Sequence, residues 1–293
     1  MNRFLKLSGE EKREVFQAAS LSMGLRPDIV EKDFWVCFML HHLFHDCKYK
    51  DAFVFKGGTS LSKAYHVIER FSEDIDIILD WRKIVPTDDN PWNDRSKTKQ
   101  DQYNKLVNAG AAEFYASDLL PCLNSELEDI LGSGQWFVVD ENDEMVINFY
   151  YPQLFDRKVT EILTIDVERT FWEKLTILHK MANFPANKNL PPRYARHLYD
   201  VYCMTNSPVK EQAFARKELL EKDVIFKQKF YYAKSAHYET ATLKEISLIP
   251  ADHIMDAVKQ DYAAMKNMIY GDYPGFETII EQLKELEMEV HNL

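Results

Sequence analysis

The spacing of apolar side chains changes character along the chain. Up to residue 182, helical and strand-like patterns alternate; beyond Pro191 only helical spacing remains. Residues 8–22 read as a helix, with Ser8 at its cap and Glu10 and Glu11 in its first turn. Residues 27–44 read as a second helix, opened by Pro27 where a missing N–H is tolerated. A short apolar strand at 52–56, a helix at 59–69 and a strand at 74–80 follow. Residues 86–96 hold two prolines among polar residues and read as a loop. Residues 97–130 read as helical with a break near Pro121. Residues 135–140 and 144–151 read as paired strands, and 158–165 as another. Thr170 and Glu173 have the spacing of a capping box, which predicts a helix from Thr170 to about Ala182.

After Pro191 the predicted helices are 193–205, 210–222, 224–235, 250–270 and 275–290. Mixed elements followed by helices alone predict an α+β fold. The expected organisation is a core with a small mixed sheet over residues 1–182 and an α-helical domain over 183–293. The Asn- and Pro-rich stretch 183–192 would link them.

Composition narrows the class. The chain has 293 residues, 46% of them hydrophobic and 13% aromatic, which suits a packed globular protein. No apolar run reaches the roughly 18 residues of a membrane span. The first residues turn to charge too early for a signal peptide. Cys37, Cys47, Cys122 and Cys203 are scattered without a CxxC pair, the pattern of free thiols in a reducing cytoplasm. A net charge of -11 argues against broad binding of nucleic acid. An RNA substrate would need a local basic patch, and a basic protein partner also fits.

The most informative chemistry lies between residues 55 and 77. Gly57 and Gly58 make a turn between strand and helix, where a backbone can approach a phosphate closely. The amides around Thr59 and Ser60 open the helix, favouring an anion there. Sixteen residues beyond Gly58, Asp74 begins an Asp-Ile-Asp run. Residues two apart on a strand share a face, so Asp74 and Asp76 would stand together while Ile75 and Ile77 pack. Two such carboxylates suit a hard divalent ion such as Mg2+, which shares its coordination with substrate phosphates. A phosphate cradle beside such a pair points to metal-dependent transfer from a nucleoside triphosphate.

Other groups carry less. Lys174 sits beside the stripe of Phe171, Leu175 and Leu178, and its spacing alone reads as a solvated lysine. Arg193, Arg196, His197 and Asp200 fall on one helical face, which fits a solvated face and a phosphate-binding site about equally. His41 and His45 have a spacing that permits Zn2+ binding, but no nearby Glu completes a zinc-protease motif, and a packed cluster is the better reading. Phe230, Tyr231, Tyr232 and Tyr262 could stack bases, though core packing is the simpler reading.

These residues also carry a family resemblance. Lys56–Lys63 (Lys-Gly-Gly-Thr-Ser-Leu-Ser-Lys) with Arg70–Asp76 resembles the first motif of the AbiEii/AbiGii-type nucleotidyltransferase toxins. Val30–Val36 is similar to the family's N-terminal helix, Glu168–His179 to the segment with its essential lysine, and Arg193–Asp200 to a later segment with an aspartate. The resemblance implies a DNA polymerase β-like nucleotidyltransferase core and a toxin paired with a separately encoded antitoxin. It implies that Asp74 and Asp76 bind Mg2+ and the triphosphate, with Lys63 in the same motif. It turns Lys174 into a nucleotide contact, Asp200 into the later acidic residue and Arg196 into a phosphate contact. The acceptor it implies is RNA, such as a tRNA 3′ end; a protein hydroxyl acceptor and an inactive, partner-binding member are the alternatives. Many relatives in the superfamily add a third carboxylate, for which Asp166 and Glu161 are the candidates here.

Overall fold

The structure, a computed structural model, describes residues 7–72, 74–83, 90–132, 134–150 and 165–293. Their contacts divide the chain into two compact units, Met1–Lys56 with Glu73–Thr164 and Gly57–Ser72 with Ile165–Leu293. The order of elements predicted domains over 1–182 and 183–293. The difference arises because 57–72 and the helix from Val167 bury their apolar faces among the C-terminal helices.

In the first unit, helix α1 (Gly9–Met23) opens with a reciprocal cap. Ser8 Oγ accepts from the Glu11 amide at 3.3 Å, and the Ser8 amide donates to Glu11 Oε2 at 2.7 Å. Helix α2 (Pro27–His41) ends in a π-turn over His42–Asp46, so the helix predicted to Phe44 loosens at its last turn. Strand β1 (Phe53–Lys56) follows. Among the later elements of this unit, β2 (Asp76–Leu79) pairs antiparallel with β1, matching Phe53 to Leu79, Phe55 to Ile77 and Lys56 to Asp76.

The long helix predicted at 97–130 is broken as expected. A π-turn over Tyr115–Leu119, just before Pro121, separates Lys97–Phe114 from Leu120–Leu131. Strands β3 (Phe137–Val139) and β4 (Ile147–Phe149) form the second antiparallel pair, shorter than predicted. The expected mixed sheet is therefore two antiparallel ladders among the described residues. The strand predicted at 158–165 lies almost entirely outside those residues. Phe34, Trp35, Phe38 and Met39 from α2 pack with Leu123, Leu127, Phe53 and Phe137 to form this unit's core. The Trp35 ring meets Phe149 edge-on at 5.6 Å.

The second unit begins with a short helix α3 (Gly57–Lys63), which stops well before the predicted residue 69. Numbering onward from the helices Lys97–Phe114 (α4) and Leu120–Leu131 (α5), its centre is α6 (Val167–Ala182). Phe171, Trp172, Leu175 and Leu178 of α6 are fully buried. They pack with α7 (Arg196–Thr205), α8 (Val209–Ala215), α9 (Glu218–Phe230), α10 (Met255–Ala264) and α11 (Phe276–His291) in one core. The helix predicted at 210–222 is in fact α8 and the start of α9, and 224–235 is the rest of α9.

The capping box at Thr170 and Glu173 is absent. Helix α6 starts three residues earlier, the Thr170 amide donates to the Asp166 carbonyl, and Thr170 is buried. Packing of Val167 against the core extends the helix beyond its local signal. The predominance of helix with two small ladders agrees with the α+β class.

Candidate functional site

Each predicted site residue falls in one unit or the other. In the first unit, Asp76 opens β2 opposite Lys56, and Asp74 lies two residues before the strand rather than inside it. Both carboxylates are exposed. Ile75, Ile77 and Leu79 pack against the first unit's core, as the alternation predicted. The acidic side chains thus face away from that core.

In the second unit, four charged or polar side chains meet out of water. Asp200 on α7 is 0% exposed, Arg70 2% and Lys174 5%. Arg70 donates through Nε to Asp200 Oδ1 at 2.7 Å and through Nη2 to Oδ2 at 2.9 Å. This two-pronged geometry is the strongest that arginine and carboxylate make. Lys174 on α6 donates to Asp200 Oδ2 at 2.9 Å and approaches His197 Nδ1 at 3.2 Å. Lysine can only donate, so His197 Nδ1 accepts and the ring is neutral, with its proton on Nε2. Burial, then Lys174, holds His197 well below the ordinary histidine range. Burial alone would raise the Asp200 carboxyl, but Arg70 and Lys174 outweigh it and hold the group far below the usual carboxylate range.

Two readings of spacing are corrected here. Lys174 is buried and paired, not solvated. The face Arg193–Asp200 is not continuous, because α7 begins only at Arg196 and Arg193 adopts a φ of 60° outside it. Asp261 accepts the Arg193 and Ala195 amides at 2.6 and 2.7 Å, capping that turn.

The Gly-Gly turn has a local explanation in packing. Gly57 has φ 81°, a left-handed conformation that side chains resist. A Cβ on Gly58 would lie 2.5 Å from Arg70 Nη2, so its absence makes room for the guanidinium. Thr59 and Ser60 are buried, and Ser60 Oγ donates to the Gly57 carbonyl at 2.7 Å. Lys63 and Arg196 are half-buried. The structure therefore brings Gly58, Lys174 and Asp200 together around Arg70, and places Asp74 and Asp76 in the other unit.

Arg70 is the residue that sequence reasoning left without a role, since only its place in the later part of the first motif was visible. Of the third-carboxylate candidates, Asp166 pairs with Arg216 at 2.8 Å, and Glu161 lies outside the described residues. His41 and His42 are buried, and the His41 and His45 rings stack at 4.8 Å, in keeping with a packed cluster. Tyr262 is buried as expected, whereas Tyr231 and Tyr232 are exposed because α9 ends at Phe230.

The chain thus carries a Gly-Gly step after its first strand and two exposed carboxylates at and just before the next. A family model described as "Nucleotidyl transferase AbiEii toxin, Type IV TA system" matches residues 40–282. The match covers most of the chain, and the protein belongs to this family. A toxin of such a system implies a separate antitoxin. No curated protein and no solved structure matches the chain. Among the described residues, no helix is long and apolar enough to cross a membrane.

Proposed function

We propose that this protein is a Mg2+-dependent nucleotidyl transferase that moves a nucleoside monophosphate from a triphosphate to an RNA hydroxyl, such as a tRNA 3′ end. The family match over residues 40–282 is the observation that carries the reading. Asp74 and Asp76 suit the ion on their chemistry. They are exposed carboxylates on the side away from the packed isoleucines, and Mg2+ needs only one or two such groups. When bound, the ion would neutralise and align the triphosphate oxygens.

The chain's own residues then have separate tasks. Asp74 and Asp76 hold the ion, and Lys56, opposite Asp76 in the ladder, adds positive charge beside them. In the second unit, Gly57, Gly58, Thr59, Ser60, Lys63 and Arg196 are proposed to bind the nucleotide, the first four through backbone groups because the Thr59 and Ser60 side chains are buried. Lys174 is proposed as a nucleotide contact. Asp200 is wholly enclosed, and its oxygens are taken by Arg70 and Lys174, so we assign it a positioning role. The acceptor oxygen bonds to the α-phosphorus and pyrophosphate leaves, with positioning and fixed charge supplying most of the rate. The antitoxin is a separately encoded chain, and both act in the cytoplasm.

A second reading, with which the net charge of -11 is compatible, is transfer to a protein hydroxyl. Both are tested by incubating the protein with each NTP labelled at the α-phosphate, Mg2+, RNA and protein fractions. Label in RNA, lost in Asp74→Ala, is the expected result. Label only in protein selects the second reading. Binding of NTP without transfer to either would mark an inactive, partner-binding member and sink the proposal.

A further inference from the structure

The cysteines are scattered in sequence, yet two of them meet in the first unit. Cys47 follows the π-turn that ends α2, and Cys122 lies in the first turn of α5. Glu126 is one helical turn beyond Cys122 and shares its face. Cys47 Sγ, Cys122 Sγ and a Glu126 carboxylate oxygen all lie within 4.8 Å of one another. The carboxylate is held from two directions. The Lys48 amide donates to Oε1 at 2.8 Å, and His42 Nε2 sits 2.9 Å from Oε2. Cys47 is 1% exposed, while Cys122 and Glu126 are half-buried, so the cluster is enclosed yet reachable from solvent.

We propose that Cys47, Cys122 and Glu126 form a binding site for a thiophilic divalent ion of the Zn2+ type. Two thiolates and a carboxylate make a donor set that Zn2+ accepts and Mg2+ does not. Bonds of about 2.0–2.3 Å to a tetrahedral ion separate its ligand atoms by about 3.5 Å. The three atoms need close by only about an ångström to reach that spacing. Water takes the fourth position. His42 is an outer partner that fixes the carboxylate, the arrangement by which metal sites orient their ligands. Both cysteines are free thiols in the structure.

Loading needs no oxidant. Burial pushes the Cys47 thiol up to about 12 and the Cys122 thiol up to about 11, so both start protonated. The ion displaces the two S–H protons to solvent and bonds both sulfurs and the carboxylate. It would tie the end of α2 to α5 and brace the first unit.

The test uses the reduced full-length protein and Co2+ as a spectroscopic stand-in for Zn2+. The expected result is a thiolate-to-cobalt charge-transfer band at one ion per chain, displaced by Zn2+. The band should vanish in Cys47→Ser and Cys122→Ser and persist in Cys37→Ser and Cys203→Ser. His42→Gln should weaken binding by about 10–100-fold. If Cys47→Ser does not fold, the half-buried Cys122→Ser decides. A reduced wild type with no such band overturns the proposal, including one whose Cys47 and Cys122 merely join as a disulfide in air. So does a band that survives undiminished in Cys122→Ser.

Discussion

Asp76 and Asp200 are both carboxylates that the sequence marks for the same site, but water reaches one and not the other. Asp76 stands exposed at the start of β2, with Asp74 exposed two residues before it. Asp200 is sealed within the helical unit and bonded on both oxygens by Arg70 and Lys174. Removing a carboxylate from water costs several kcal/mol, which is offset only when partners satisfy it well. Asp200 has those partners, so its lone pairs are committed within the protein. Asp74 and Asp76 lie at the surface, in contact with solvent. The difference teaches that of two carboxylates marked by sequence alone, one can be enclosed by cationic partners while the other stays at the surface.

The comparison is most easily broken at Asp200. Asp200→Ala removes the carboxylate that Arg70 and Lys174 both bond inside the helical unit, and should destabilise the protein by about 3–5 kcal/mol. Urea denaturation measures this; an unchanged midpoint would mean the cluster does not hold the helical unit together. Gly58→Ala presses a methyl group against Arg70 Nη2 and should cost about 1–3 kcal/mol by overpacking. A neutral Gly58→Ala would show that the guanidinium is free to shift.

Acidity gives a third, smaller effect. His197 is held neutral in the folded state, so below pH about 6.5 the unfolded chain takes up a proton that the folded chain refuses. Its contribution is fully present above that pH and is lost as pH falls toward the depressed folded value. The slope is at most about 1.4 kcal/mol per pH unit for this one group. His179 adds to the same window, since burial lowers it too and its Nδ1 accepts the Ser247 amide at 3.0 Å. Asp200 acts only lower, below pH about 3.9, where the unfolded carboxylate protonates first. Stability curves of wild type and His197→Gln should diverge between pH 7 and 5; parallel curves would show that His197 is not held neutral.

Sequence reading worked where partners are close along the chain. Ser8 and Glu11 are three residues apart, and their reciprocal cap could be anticipated at Ser8. The π-turn before Pro121 and the packing of Ile75 and Ile77 follow from equally local rules. It failed where the partner is remote. Arg70 and Asp200 are 130 residues apart, so nothing near either one announces the pair. Lys174 looked solvated because a helical stripe counts apolar residues only; Asp200 on α7 is what makes its burial tolerable. The meeting of Cys47 with Cys122 was hidden for the same reason. Thr170 shows tertiary packing overriding a local signal, since α6 extends past it to bury Val167.

We propose that the exposed carboxylates act in chemistry and that the buried one holds the fold. The most direct test measures label transfer from α-labelled NTP and the melting temperature for Asp76→Asn and Asp200→Asn side by side. Asp76→Asn should melt within about 0.5 kcal/mol of wild type yet transfer no label, while Asp200→Asn should melt markedly lower. Wild-type transfer by a folded Asp76→Asn protein would contradict the account.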